Sequence, residues 1–271
     1  MFQLKTKYTI RRSNRKNPQL TTKVSVIVPV CNEANHLNNC VIKLEQALHN
    51  LGVEFEIVIS EDGSVDGTDK IAADWARRDS AVKHLHSNVR LGRGKAVQKG
   101  FEASDGSVVV YTDADLSTDL RHLGELVKAI DSGADIVTGS RLSKGSVVTR
   151  SFSRELLSRF YNGMVKLAFK SPIHDYQCGF KAFRKETVAS LLDEVKEKHW
   201  SWDTELLIRA VNKGYIVVEI PVTWVQSEGT KVRPWTDIRQ MSAATLRLWR
   251  QLRSEKQELM REKPKTPFNE P

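Results

Sequence analysis

Asp113 and Asp115 stand two residues apart in Tyr111-Thr112-Asp113-Ala114-Asp115, directly after the apolar run Val108-Val109-Val110. Where a strand ends and the backbone turns, two carboxylates at that spacing project towards one spot. Hard oxygen ligands of this kind suit Mg²⁺ or Mn²⁺ bridging to a diphosphate, the alternative being a solvated turn. Two more polar clusters follow apolar runs: Pro29-Val30-Cys31-Asn32-Glu33 and Ser60-Glu61-Asp62-Gly63-Ser64-Val65-Asp66-Gly67-Thr68. Asp66 is placed to cap the helix that follows. Capping explains Asp62 less well, and at a strand's carboxyl end it can accept hydrogen bonds from a base or ribose. Gly92-Arg93-Gly94-Lys95 opens a helix and could cradle phosphate there. It is neither a Walker A loop nor a GxGxxG, because Gly100 lies too far on.

These clusters need a scaffold that brings strand ends together. Val24–Val30 reads as a buried strand, residues 34 to 50 as a helix with Leu37, Val41, Leu44 and Leu48 at helical spacing, and Phe55–Ser60 as a second strand. Asp66–Asp79 reads as a helix; Val82–His86, Ser107–Thr112 and Asp135–Gly139 read as strands, with helical segments at 94 to 104 and 119 to 131 between them. This alternation, with near-continuous apolar strands, predicts a mainly parallel α/β sheet covered by helices on both faces. Such sheets bind ligands at the carboxyl ends of their strands, where the polar clusters lie.

The pattern changes after residue 140. Residues 150 to 170 predict a helix with Phe152, Leu156, Phe160, Met164 and Leu167 on one stripe, stopped by Ser171-Pro172. A short run Gly179–Phe183, helices at 185 to 197 and 203 to 213, and a strand Tyr215–Trp224 follow. A last helix over 235 to 262 sets Ile238, Met241, Thr245, Leu248, Trp249 and Leu252 among Arg239, Arg247, Arg250 and Arg253. Basic residues beside Trp and Leu are what a helix lying flat on lipid needs, and packing on its own domain is the other reading. The expected division is a basic arm over 1–22, a catalytic domain over 23–232, and an amphipathic helix with a disordered tail over 233–271.

The chain has 271 residues and a formal charge of +9. Residues 1 to 23 hold seven basic residues and no acid, residues 231 to 271 net +5, and the body between them nets −3. A body without basic excess argues against nucleic-acid binding; basic ends fit an anionic membrane surface or another polyanion, or are simply solvated. Cys31, Cys40 and Cys178 make neither a disulfide framework nor a CxxC zinc site, which favours a reducing compartment. No apolar run approaches the roughly 18 residues of a membrane span, and no signal-peptide h-region is present, so the expectation is a cytoplasmic chain.

Taken together, the motifs resemble family 2 glycosyltransferases of the GT-A fold, a Rossmann-like sheet covered on both faces. The resemblance runs from about 24 to 232 and rests on Pro29-x-x-Asn32-Glu33, Glu61-Asp62-Gly63-Ser64, Asp113-x-Asp115 and Gly139-Ser140-Arg141. More specific are Asp175-Tyr176-Gln177-Cys178-Gly179-Phe180-Lys181, Trp202-Asp203-Thr204-Glu205-Leu206-Leu207, Pro221-Val222-Thr223-Trp224 and Gly229-Thr230-Lys231, which are similar to the polyprenyl- and dolichyl-phosphate branch.

The resemblance implies an inverting transferase moving a hexose from a nucleotide diphosphate sugar, UDP-glucose before GDP-mannose, to a polyprenyl phosphate on the cytosolic face of a membrane. It places Pro29, Asn32, Glu33, Asp62, Lys95, Ala114 and Gln177 around the donor, Asp113 and Asp115 on the metal and diphosphate, and Lys231 on the donor phosphates. Mannosyltransferase relatives often carry Gln where this chain has Ser117, which tilts the reading towards glucose. A phosphate monoester with a second pKa of about 6 is largely dianionic near neutrality and needs cations to position it rather than a strong base. Arg141, Arg150 and Arg154 are the candidate clamp, since guanidinium forks bind phosphate oxygens; Arg150 and Arg154, four apart, share a helix face. Asp203 leaves three roles open: catalysis, orientation of a sugar hydroxyl or an arginine, and helix capping. A transferase for a soluble sugar or protein acceptor, and a non-catalytic nucleotide-sugar-binding module, are the competing functions.

Overall fold

The computed structural model describes residues 22–227 and 234–262. The chain opens with β1 (Val24–Val30), α1 (Ala34–Leu51), β2 (Phe55–Glu61), α2 (Thr68–Arg78), β3 (Val82–Leu85), α3 (Arg93–Ala103) and β4 (Val108–Thr112). A single 3₁₀ turn (Leu120–His122) leads into α4 (Leu123–Asp131), β5 (Ile136–Ser140), β6 (Val147–Thr149), α5 (Phe152–Phe169), β7 (Phe180–Arg184) and α6 (Lys185–Leu192). Then come α7 (Trp202–Asn212), β8 (Val217–Pro221), β9 (Thr223–Val225) and α8 (Pro234–Glu262).

Seven strands form one sheet in the order β3-β2-β1-β4-β7-β5-β8, with β7 antiparallel to both neighbours and the remaining pairs parallel. The expected parallel α/β sheet is present. Its continuous apolar runs follow from burial on both faces: Val26 and Val28 of β1 join one core with Leu37, Leu44 and Leu126, while Ile27 joins a second core with Val97, Phe101 and Leu206. Winding runs outward from β1 through β2 to β3, then reverses to β4 on the other side of β1. That reversal opens the crevice in which doubly wound sheets bind ligands.

Two expectations change. The strand expected over 215–224 is two strands, because Pro221 ends the run in the main sheet and β9 leaves to pair with β6, an exposed three-residue strand. The helix expected over 185 to 197 ends at Leu192. The stripe on α5, whose covering the sequence leaves open, faces largely outward: Phe152 and Leu167 are each 82% exposed and Phe160 62%, Met164 is partly buried, and Tyr161, Asn162 and Val165 make the buried face. Periodicity reports that a helix is amphipathic, not what covers its apolar side.

α8 packs against α5 and α7 through Met241, Ala244, Thr245 and Leu248, leaving Leu246 and Trp249 exposed. Of the two readings for this helix, packing on its own domain describes Met241 to Leu248. Ile238 lies outside the described side chains.

Candidate active site

A cleft of about 660 Å³ lies over the carboxyl ends of β1, β2 and β4 and extends to α5. Pro29, Asn32, Glu33, Asp62, Asp113, Ala114, Asp115, Arg141, Arg150, Arg154 and Gln177 all line it. Lys95 does not: its side chain turns to Gln98 (Nζ to Oε1, 3.0 Å) while its amide bonds the Lys198 carbonyl. Asp203 is buried behind the wall, and Lys231 and residues 1–21 of the basic arm lie outside the described residues.

The turns after β1 and β2 are built against each other. Asn32 holds φ 56°, which Asn tolerates better than most residues, and its Oδ1 accepts from the Val65 amide at 2.8 Å while its own amide donates to Ser64 Oγ at 3.0 Å. Asp66 caps both neighbouring helices, accepting from the Ala34 and Thr68 amides. Asp62 accepts from the Leu91 and Gly92 amides at 2.7 and 2.8 Å. Its carboxylate therefore fixes the loop before α3, a structural duty the motif alone does not reveal.

Asp113 and Asp115 follow β4 and open on the cleft. The Asp113 side chain is 44% exposed, and Asp115 is oriented by Ser117, whose amide (3.0 Å) and hydroxyl (2.8 Å) bond its two oxygens. Ser117 thus supports a candidate ligand from behind. Asp113 Oδ1 takes both Arg93 Nη2 (2.8 Å) and Nε (3.3 Å), which leaves Oδ2 outside that pairing. Beside it, Gly179 presses so close that an added Cβ would strike the Asp113 carboxylate. A pair of cleft-facing carboxylates, one braced by a serine and one by an arginine, fits a hard divalent cation.

Arg93 is the residue the sequence reading missed. It sits in the Gly92-Arg93-Gly94-Lys95 run, read as a phosphate cradle, and its Nη1 reaches Asp203 Oδ2 at 2.8 Å. Asp203 is also bonded by the Tyr111 hydroxyl and paired with Lys181 Nζ at 3.1 Å. Lys181 is fully buried and also donates to the Tyr176 and Cys178 carbonyls. Burial opposes ionisation of Asp203, but Lys181 and Arg93 outweigh it and hold the carboxyl below its usual range. Burial likewise opposes the charge on Arg93, and Asp113 and Asp203 overcome it, holding the guanidinium well above its ordinary value. No local spacing could have found this pairing, since the partners lie 20 and 110 residues away.

The candidate cationic clamp is unevenly engaged. Arg141 gives Nε and Nη2 to buried Asp175 (2.7 and 2.9 Å), and its guanidinium lies over the Trp224 ring. Burial alone would raise the Asp175 carboxyl; Arg141 outweighs it and holds it at about 2. Arg150 stands before α5, not within it, and bonds Glu155 at 2.5 Å. Arg154, in the first turn of α5, has no hydrogen-bond or ion-pair partner among the described residues, so its guanidinium faces the cleft uncommitted.

Comparison with known proteins matches residues 25–192 to the glycosyl transferase family 2 pattern. Glycosyltransferase AglD of Haloferax volcanii is 43% identical over 248 residues, 89% of this chain; the chain spans only 40% of that relative's length. A dolichyl-phosphate beta-glucosyltransferase of Drosophila melanogaster is 30% identical over 83% of this chain and 74% of its own. A polyprenol monophosphomannose synthase of Mycolicibacterium smegmatis is 33% identical over 77% of this chain and 79% of its own. Among solved structures, glucosyl-3-phosphoglycerate synthase of Mycobacterium tuberculosis, in complex with Mn²⁺, UDP-glucose and phosphoglyceric acid, superposes with a TM-score of 0.63 at 20% identity, over 84% of this chain and 80% of that one.

Proposed function

The chain belongs to glycosyl transferase family 2 and is a glycosyltransferase, and from that premise we propose that it transfers a hexose from a nucleotide diphosphate sugar to a polyprenyl phosphate, inverting the anomeric carbon. The observation that carries the acceptor is the far end of the cleft. There the uncommitted guanidinium of Arg154 lines the cleft with Leu157, one turn further along α5, while the exposed Phe152, Leu156 and Phe160 lie on the other face of the same helix. A phosphate on an apolar tail needs both a cation and an apolar surface; α5 turns Arg154 and Leu157 into the cleft and presents the exposed apolar stripe around its other side. The relatives whose names specify dolichyl-phosphate or polyprenol chemistry support the same reading.

Pro29, Asn32, Glu33 and Asp62 form the donor end, the first two turns holding the nucleoside. The Asp113 and Asp115 carboxylates hold a divalent cation, Mg²⁺ or Mn²⁺, which when bound offsets the charge of the leaving nucleotide diphosphate. Arg154, with Arg150 beside it, positions the acceptor phosphate, whose dianion needs no base to attack. Asp203 therefore serves by holding Arg93 rather than by taking a proton. UDP-glucose is the favoured donor and GDP-mannose the second, because Ser117 braces Asp115 rather than supplying a carboxamide to the cation. The enzyme works at the cytosolic face of a membrane, and its basic ends are the parts that meet anionic lipid. No helix among the described residues is long and apolar enough to cross a bilayer. Incubating the chain with each donor, with and without a short polyprenyl phosphate, tests the reading: label from a nucleotide sugar should enter the organic phase only when the lipid phosphate is present.

A further inference from the structure

Glu61 ends β2, and His84 lies on β3, the edge strand of the main sheet. The register Ile59↔His84 and the two-residue period of a strand set Glu61, His84 and His86 on one face. The ligating atoms of the three side chains lie within 4.8 Å of one another. The Glu61 side chain is fully buried, and His84 Nε2 is buried with no hydrogen-bond partner. His86 is 46% exposed and bonds twice: Nε2 meets Asn88 Oδ1 at 2.9 Å and Nδ1 meets Glu61 Oε2 at 2.6 Å.

A neutral imidazole carries one proton and cannot donate from both nitrogens. Both partners are acceptors, so the ring meets them either as an imidazolium, donating from both nitrogens, or with Nε2–H on Asn88 and a metal cation in place of the Nδ1 proton. An outer hydrogen bond from the second ring nitrogen is also how proteins orient metal-binding histidines. Two imidazoles and a carboxylate are the donor set of Zn²⁺ and similar borderline cations, not of Mg²⁺. With Zn–N and Zn–O bonds of about 2.0–2.1 Å, tetrahedral ligands stand roughly 3.3 Å apart, so closing the site takes side-chain shifts of the order of 1 Å. Exposure of His86 provides the way in and leaves a position for water.

We propose that Glu61, His84 and His86 form a transition-metal site for Zn²⁺, separate from Asp113 and Asp115, that clamps the edge strand to the floor of the donor cleft. Glu61 Oε1 accepts the Ser64 amide, and Ser64 Oγ in turn receives the Asn32 amide. A cation on Glu61 therefore stiffens the turn carrying Asp62 without touching the donor.

The test uses the full chain, freed of metal with a chelator. Titration with ZnCl₂ by calorimetry should give one site per chain, retained in the Asp113→Asn/Asp115→Asn double variant and weakened at least tenfold in His86→Ala and His84→Ala. Co²⁺ should give the intense visible absorption of a four-coordinate site, and His86→Ala, an exposed position that should fold, should abolish it. Zinc binding unchanged in His86→Ala, or lost in the Asp113→Asn/Asp115→Asn variant, would overturn the proposal.

Discussion

Arg93 ties the first carboxylate of the Asp113-x-Asp115 pair to the protein interior, with Nη2 2.8 Å from Asp113 Oδ1. Its other amino group reaches Asp203, which is anchored in turn by Lys181. The candidate metal ligand is thus held by a relay of buried charges rather than by backbone turns alone.

Arg93→Lys keeps the charge but loses the planar fork that spans two carboxylates. The Mn²⁺ concentration giving half-maximal activity should rise about tenfold, roughly 1.4 kcal/mol. Saturating donor should not restore it. A variant with unchanged metal dependence and a raised donor KM would place Arg93 on the donor instead.

Gly179→Ala puts a methyl group against the Asp113 carboxylate, and β7 cannot retreat without breaking its pairing to β4. Turnover should fall at least 100-fold, about 2.7 kcal/mol in the barrier, with the circular dichroism spectrum retained. Wild-type turnover would mean that Asp113 has freedom the packing denies it.

Asp203→Asn leaves the buried Lys181 charge without its counterion. Removing one partner of a buried pair costs about 3–5 kcal/mol, so the urea midpoint should drop sharply. Adding Lys181→Met should recover much of that stability but not the activity, because Arg93 still lacks its anchor. Full activity in the double variant would return Asp203 to a purely structural role.

The Asp175 carboxyl is held at about 2 in the fold, below the roughly 3.9 of an unfolded aspartate. A depressed carboxylate stabilises the fold fully above the unfolded value, and that contribution is lost as pH falls from about 4 towards 2. For a fully buried group the amount is of the order of 2 kcal/mol. Urea unfolding of wild type and Asp175→Asn should therefore differ at pH 7 and converge as the pH approaches 2; a gap independent of pH would rule out the ion pair as its source.

Much of this was legible in the sequence because burial writes itself into composition. β1 lies between two helix layers, so Val24, Val26, Ile27 and Val28 had to be apolar, with the buried Ser25 satisfied by Glu56, and the same apolar run in β4 located the carboxylates after it. The antiparallel place of β7 was not legible, since Phe180–Arg184 is a short run whose neighbours, β4 and β5, are fixed by topology. Nor was the outward turn of Phe152, Leu156 and Phe160, because a stripe on α5 reads the same whether protein or lipid covers it. Arg93 stayed hidden because charge pairing over long sequence separations leaves no spacing to recognise.

The most direct measurement is the product. The 271-residue chain, Mn²⁺ or Mg²⁺, UDP-glucose or GDP-mannose and a short polyprenyl phosphate should yield a chloroform-soluble sugar phosphodiester. NMR should show a β-anomeric linkage from the α-linked donor. Asp115→Ala should abolish this product and Arg154→Ala should raise the KM for lipid phosphate more than that for donor. No lipid-phosphate sugar from any nucleotide sugar, with transfer instead to a soluble sugar or protein, would contradict the account.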